Sequence, residues 1–379
     1  MSTKTKITNN IKNVIGIMSG KGGVGKSLIT SMLAVTLNRK GYKIGVMDAD
    51  ITGPSIPKIF GIKNMGGVGS DGIVPVLTKS GIKIISINMF LEDETRPVIW
   101  RGPLIGNVIK QFWDETYWGD LDYLFIDLPP GTSDAPLTVM QSIPLKGMII
   151  VSTPQELVSM IVEKAINMTE IVKIPIIGLI ENMSYLNCPD CNKKIEIFGK
   201  SNGAKIANEK NIKFLGSLPI YPEITSLCDE GKIEEYKIEL FEKITNMLIA
   251  ESKYCEYKNN MKKIALPTEG NMVSGHFGHC EKFILIDVAE GKIINKDEIP
   301  APEHQPGFLP GFLAQKGVNV IIAGGMGVRA KDLFTENNIE VFAGVNGSID
   351  DVVNNYINGT LKTTDSFCSG HGDGHTCGH

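Results

Sequence analysis

The chain has 379 residues, of which 42% are hydrophobic and 21% charged, with a formal net charge of −4. That length exceeds one ordinary core, and the composition excludes a disordered or fibrous chain. The mild acidity gives no global attraction to nucleic acid, and apolar runs such as IPIIGLI are too short to span a bilayer. The polar opening MSTKTKITNNIKN lacks a signal peptide's apolar run, so a cytoplasmic protein with reduced thiols is expected.

The first predicted element is the strand VIGIMS, which runs into Gly20-Lys21-Gly22-Gly23-Val24-Gly25-Lys26-Ser27. This fits the phosphate-loop pattern G-x-x-x-x-G-K-[ST] between a strand and a helix. Glycines let backbone N–H groups turn inward around phosphate oxygens, and the helix N-terminus adds positive potential. Lys26 is expected at the β/γ-phosphates of a nucleotide and the Ser27 hydroxyl at magnesium. The helix should run from Lys26 to about Lys40, with Ile29, Met32, Leu33 and Leu37 on one stripe, and stop at Gly41.

Two later strands, KIGVMD and LDYLFID, end in Asp48 (with Asp50 just beyond) and Asp127. Hard cations prefer such oxygen ligands, directly or through water. Further strands are expected at IKIISI, GMIIVS, IPIIGLI and IKFLGSL, alternating with helical patterns. The fold class is therefore α/β, a parallel sheet covered by helices on both faces, with ligands at the carboxyl ends of the strands.

After IPIIGLI comes ENMSYLNCPDC, carrying Asn182 and a lone CxxC pair, Cys188 and Cys191. A zinc ribbon needs a second pair within the chain, and this chain has none. A symmetric dimer would bring two pairs together, giving the four thiolates that ligate a 4Fe-4S cluster. A shared zinc, a thioredoxin-like redox pair and plain structural cysteines are the alternatives. Cys228, with no nearby partner, is expected to pack as a small hydrophobe.

A helix is predicted over Glu234 to Ala250, closing a first domain at residues 1–250, with 251–260 as a polar linker. A second, smaller α/β unit spans 261–361, with strands at KKIALP, KFILIDV, VNVIIAGG and IEVFAG. Its loop SGHFGHC offers His276, His279 and Cys280 as soft or borderline metal donors. Residues 362–379 are expected to be a flexible tail in which Cys368, His371, His375, Cys377 and His379 form a metal hook or a disordered terminus.

The loop GKGGVGKS, with its extra Lys21, resembles the deviant phosphate loop of the MinD/ParA/nitrogenase-reductase class of ATPases. Together with DADITGPSIP, WRGP, WGDLDYLFIDLPPGTSD and ENMSYLNCPDC, it is similar more narrowly to the Mrp family of ATP-dependent iron-sulfur cluster carriers, over about residues 11 to 250. The resemblance implies a homodimer that hydrolyses ATP with Mg2+, carries a 4Fe-4S cluster on Cys188 and Cys191 of each copy, and delivers it to apo-proteins. It implies that Lys21 reaches the partner's ATP and that Asp50 orients the attacking water. It further implies that Asp127 holds magnesium through water and that Asn182 contacts adenine. Leu28 departs from the Thr or Ser common there, but that position offers mainly its backbone N–H. Residues 261–361 resemble the NifX-like domain of nitrogenase cofactor biosynthesis, which implies an RNase H-like fold.

Two other functions share the loop chemistry. A MinD/ParA-type positioning or partition switch shares the whole loop chemistry, but its membrane-bound members use a terminal amphipathic basic helix, not expected of a Gly-His-Cys ending, and its DNA-bound members use a basic surface, whereas the overall charge here is mildly acidic. An electron donor of the nitrogenase-reductase kind would use two separated cysteines. The CxxC separates all three, and neither membrane nor nucleic acid is expected as a partner.

Overall fold

The computed structural model describes residues 8–363 except 51, 52, 54, 64–66, 69–71, 91–101, 133, 156, 157, 237, 238, 276 and 303–306. Two compact units divide the chain, Met1–Glu251 and Ser252–His379.

The first unit is built on eight strands: β1 (Asn10–Ser19), β2 (Ile44–Asp48), β3 (Val76–Leu77), β4 (Lys83–Ser86), β5 (Asp120–Asp127), β6 (Gly147–Ser152), β7 (Ile176–Glu181) and β8 (Phe214–Ser217). Their order is β8-β7-β6-β1-β5-β2-β4-β3, parallel except for the edge strand β3. Alternation along each strand sends side chains to opposite faces. Ile15, Ile17, Tyr123, Phe125, Ile149 and Val151 point to one core, which helix α1 (Lys26–Arg39) covers with Ile29, Leu33 and Leu37. Val14, Met18, Leu124, Ile126, Met148 and Ile150 point to the other, covered from helices Gly102–Asp114, Asp134–Ser142 and Val158–Ile171. A sheet buried on both faces reads as near-continuous apolar runs, which is how these strands appear in the sequence. Emptying a fully buried site such as Leu33 to Ala is expected to cost about 2–5 kcal/mol.

The second unit has β9 (Lys262–Glu269), β10 (Met272–Val273), β11 (Lys282–Ala289), β12 (Lys292–Pro300), β13 (Val320–Ile322) and β14 (Glu340–Phe342). The order is β12-β11-β9-β13-β14, with β10 paired to β9. The first three are antiparallel and the last two parallel, the arrangement of an RNase H-like α/β unit. Cores lie on both faces here too, one with Ile264, Ile286 and Val352, the other with Phe283, Leu313 and Phe334.

Two expectations change. The segment 251–260, read as a linker, is helical: one helix runs Glu239–Asn260, and it begins after the expected Glu234, which lies in a short 3-10 turn, Ile233–Glu235. Strong helix formers such as Glu, Lys and Ala carry the helix through a polar sequence that lacks Gly or Pro to stop it. Strand β12 was not expected at all. Trp100 and Arg101 of WRGP, His276, and the tail residues Cys368, His371, His375, Cys377 and His379 lie outside the described residues. Among the described residues, no helix is long and apolar enough to cross a membrane.

Candidate functional site

Sheet order assembles the site. β5 lies between β1 and β2, and Asp127 pairs in register with Ile17 on one side and Asp48 on the other. The phosphate loop leaves the end of β1, so Asp127 sits directly beneath it. Lys26 forms an ion pair with Asp127 at 2.7 Å, both side chains buried. Ser27 Oγ donates to Asp127 Oδ2 at 2.6 Å, and Thr30 Oγ1 to Oδ1 at 3.0 Å. Thr30 was not a sequence candidate; one turn beyond Lys26 on α1, it faces the same carboxylate.

The loop fits a phosphate. α1 is capped by Gly25 in the left-handed region (φ 84), with no side-chain cap and no acidic residue in its first turn. Its leading N–H groups are thus left for an anion. Gly25 must be glycine on a second count, since a Cβ there would lie 2.3 Å from Asn182 Nδ2. Beyond its ion pair, the Lys26 ammonium has no well-directed hydrogen bond among the described residues, so donors remain for a phosphate oxygen. A hydroxyl and a carboxylate converging at Ser27 and Asp127 are also the oxygen donors that magnesium takes beside a nucleotide.

Asp48 and Asp50 differ. Asp48 is fully buried and accepts from the backbone N–H groups of Asp50, Ser55 and Ile56 and from Ser86 Oγ. Its oxygens therefore shape the loop that carries Asp50 and are not free for a cation. Burial, followed by the neighbouring Asp127 carboxylate, pushes its carboxyl up to about 8. Asp50 is buried just beyond the strand. Lys21 Nζ donates to Gln155 Oε1, in the loop after β6, a partner that the sequence did not reveal.

Asn182 closes the other side. Its Nδ2 donates to the loop carbonyl of Val24 at 2.9 Å, and its N–H to Ser152 O at 2.7 Å. Beside it opens a cleft lined by Leu28, Asn182, Pro219, Ile220, Tyr221 and Phe241, mostly apolar, with the Asn182 amide among its few polar groups.

The CxxC lies on a small ribbon in which Leu186–Asn187 pairs antiparallel with Lys194–Ile195. Asn192 N–H donates to Cys188 O at 2.9 Å, Asn192 itself being left-handed, and Cys188 N–H to Lys193 O at 3.0 Å. Cys188 is half-buried and Cys191 exposed. The backbone N–H groups of Asp190 and Cys191, then the Cys191 thiol, hold the Cys188 thiol below its ordinary range. Ile195, Ile197 and Phe198 are exposed on the same excursion. At its root, the buried carboxylate of Glu181, also absent from the sequence candidates, accepts from Ser184 Oγ, Ser201 Oγ, Asn202 N and Gly203 N.

In the second unit, Phe277–His279 forms a 3-10 turn, and Cys280 packs against an apolar core. Cys228 packs against the first unit's core, as expected, and burial pushes its thiol up to about 11. Among the described residues, no group of three His, Cys, Asp or Glu is placed to hold a metal ion.

Comparison with known proteins matches both units. Residues 10–251 match the ParA family model described as the NUBPL iron-transfer P-loop NTPase, and residues 261–359 match dinitrogenase iron-molybdenum cofactor. An iron-sulfur cluster carrier protein from Clostridium perfringens is 50% identical over 238 residues, 61% of this chain and 84% of its own. One from Methanocaldococcus jannaschii is 51% identical over 225 residues, 59% of this chain and 78% of its own. A nucleotide-binding protein from Archaeoglobus fulgidus, solved in complex with ADP, aligns with a TM-score of 0.56 at 46% identity, covering 61% of this chain and 91% of that one. Because the first match takes in the phosphate loop, the carboxylates beneath it and the cysteine ribbon, this chain belongs to the ParA family of NUBPL-type iron-transfer P-loop NTPases.

Proposed function

We propose that the protein is an ATP-hydrolysing carrier that holds a 4Fe-4S cluster between two copies of itself and passes it to apo-proteins. The observation that carries this reading is the ribbon. It presents two thiols, Cys188 and Cys191, on one turn, one of them held below its ordinary range by backbone N–H groups, and no third ligand stands nearby among the described residues. Two thiolates are half of a cluster's ligand set, and a second copy supplies the other half. The exposed Ile195, Ile197 and Phe198 beside them suit burial against that copy.

In the nucleotide site, the backbone of Gly20 to Ser27, with Leu28 N–H, would cradle the phosphates, and Lys26 would reach the β/γ-phosphate oxygens. The base would enter the cleft beside Asn182 and Tyr221. Ser27, with Asp127 through water, would hold magnesium, which when bound neutralises charge on the phosphates. Asp50 would orient the water that attacks the γ-phosphorus, with ADP leaving. Lys21, released from Gln155, would reach the partner's ATP and offset charge developing on the transferred phosphoryl group.

Anaerobic reconstitution with iron and sulfide tests the cargo. The wild type should take up about four irons per dimer, with a Mössbauer signature of a 4Fe-4S cluster, and the Cys188→Ala, Cys191→Ala double variant should take up none. A dimer that binds zinc and no cluster would overturn the reading. For the chemistry, Lys21→Ala should lower turnover about a thousandfold or more while nucleotide binding persists; unchanged turnover would remove the trans-lysine role.

A further inference from the structure

Adjacent residues at a strand end point to opposite sides, and at the end of β7 this places two functions back to back. Asn182 faces the phosphate loop, donating to Val24 O. Glu181 faces the ribbon. The ribbon is a sixteen-residue excursion, 185–200, and both its ends are tied to this one buried carboxylate: Ser184 Oγ donates to Oε2 at 2.7 Å from the departing end, and Ser201 Oγ donates to the same oxygen from the returning end. Asn202 and Gly203 N–H donate to Oε1 at 3.1 and 2.7 Å. Gly203 can approach so closely because it has no Cβ, which would lie 3.0 Å from Oε1 and 2.7 Å from Phe214.

A second tie joins the same places. Ile220, which lines the cleft beside Asn182, donates its N–H to Tyr185 O, the first residue of the excursion, at 2.7 Å. Leu218 N–H donates to Glu181 O and Ser184 N–H to Leu218 O, both at 2.8 Å. The walls of the cleft and the root of the ribbon are therefore one hydrogen-bonded unit.

We propose that Glu181 is a positioning residue that transmits occupancy of the nucleotide site to the cysteine ribbon, so that Cys188 and Cys191 change their exposure when a nucleotide binds. This rests on the reading above, in which the cleft takes the base and the ribbon takes the cluster. A base in the cleft competes with Val24 O for the Asn182 amide and presses on Leu218 and Ile220. Glu181, fixed to Asn182 by the chain, passes any resulting shift to both ends of the excursion at once.

The test is residue-resolved alkylation of the full-length, cluster-free protein, with and without MgADP or a non-hydrolysable ATP analogue, read by peptide mass spectrometry. In the wild type, the alkylation rate of Cys188 and Cys191 should change about fivefold or more on adding nucleotide, while Cys228 serves as an internal reference. Ser201→Ala cuts one arm of the clamp far from the phosphates; it should bring that ratio below about twofold and leave ATP turnover within about twofold. Glu181→Gln should reduce the ratio in the same way, and if it does not fold, Ser201→Ala alone decides. A wild-type ratio near one, or a fivefold ratio kept by Ser201→Ala, would overturn the proposal. Iron uptake is scored separately: a cluster on a protein whose alkylation ignores nucleotide sinks only the coupling, and nucleotide-sensitive thiols that never take up iron sink the carrier reading.

Discussion

Two loops of this protein present cysteine at a turn between strands, and they treat the thiol in opposite ways. On the ribbon, backbone N–H groups of Asp190 and Cys191 point at Cys188 and hold its thiol below the ordinary range. In the second unit, Cys280 packs beside Phe277 and Phe283, and burial pushes its thiol up to about 11. A thiolate is stabilised by donors and penalised by hydrocarbon, so the first loop eases ionisation of its thiol and the second opposes it. Cysteine among polar residues in the sequence does not separate these cases; only the surroundings do.

The largest test of this contrast is reactivity. At pH 8, Cys188 should react with iodoacetamide about 100-fold faster than Cys280, as read by peptide mass spectrometry; equal rates would erase the distinction. A second test carries the logic of burial to a carboxylate. Asp48 holds its proton more tightly folded than unfolded, so its contribution to stability is full below about pH 4 and is lost as the pH rises through about 8. The nucleotide-free protein should therefore become easier to unfold with urea between about pH 5 and pH 8, and Asp48→Asn, which cannot ionise, should flatten that trend. The smallest expected effect is Cys280→Ser, which places a hydroxyl against the apolar core. It should cost about 1 kcal/mol in urea unfolding and leave iron uptake at the ribbon unchanged; loss of uptake would mean that the second loop takes part in holding the cargo.

Much of the site was legible from local pattern. The phosphate loop, its lysines, Asp127 and the CxxC each sit in a short motif whose chemistry depends on neighbours along the chain. Gln155 and Thr30 were not legible, because each meets a partner about a hundred or more residues away in sequence, and Glu181 was not, because its partners gather only when the excursion folds back on the strand end. Strand β12, KIINKDEIP, escaped for a different reason. It is a sheet edge exposed along nearly its whole length, so no face had to be apolar and no alternation arose. The helix through 251–260 escaped because polar residues that form a solvated helix also form a linker.

The sequence by itself determined the buried strands, the glycine loop before α1 and the paired cysteines, since apolar runs, left-handed turns and closely spaced thiols are local features. Only the tertiary structure decided that Asp127 lies under Lys26, that Asp48 serves the backbone, and that one carboxylate ties both ends of the ribbon beside the nucleotide cleft. Those facts follow from strand order and burial, which bring together groups up to a hundred residues apart, and no spacing along the chain encodes such a distance.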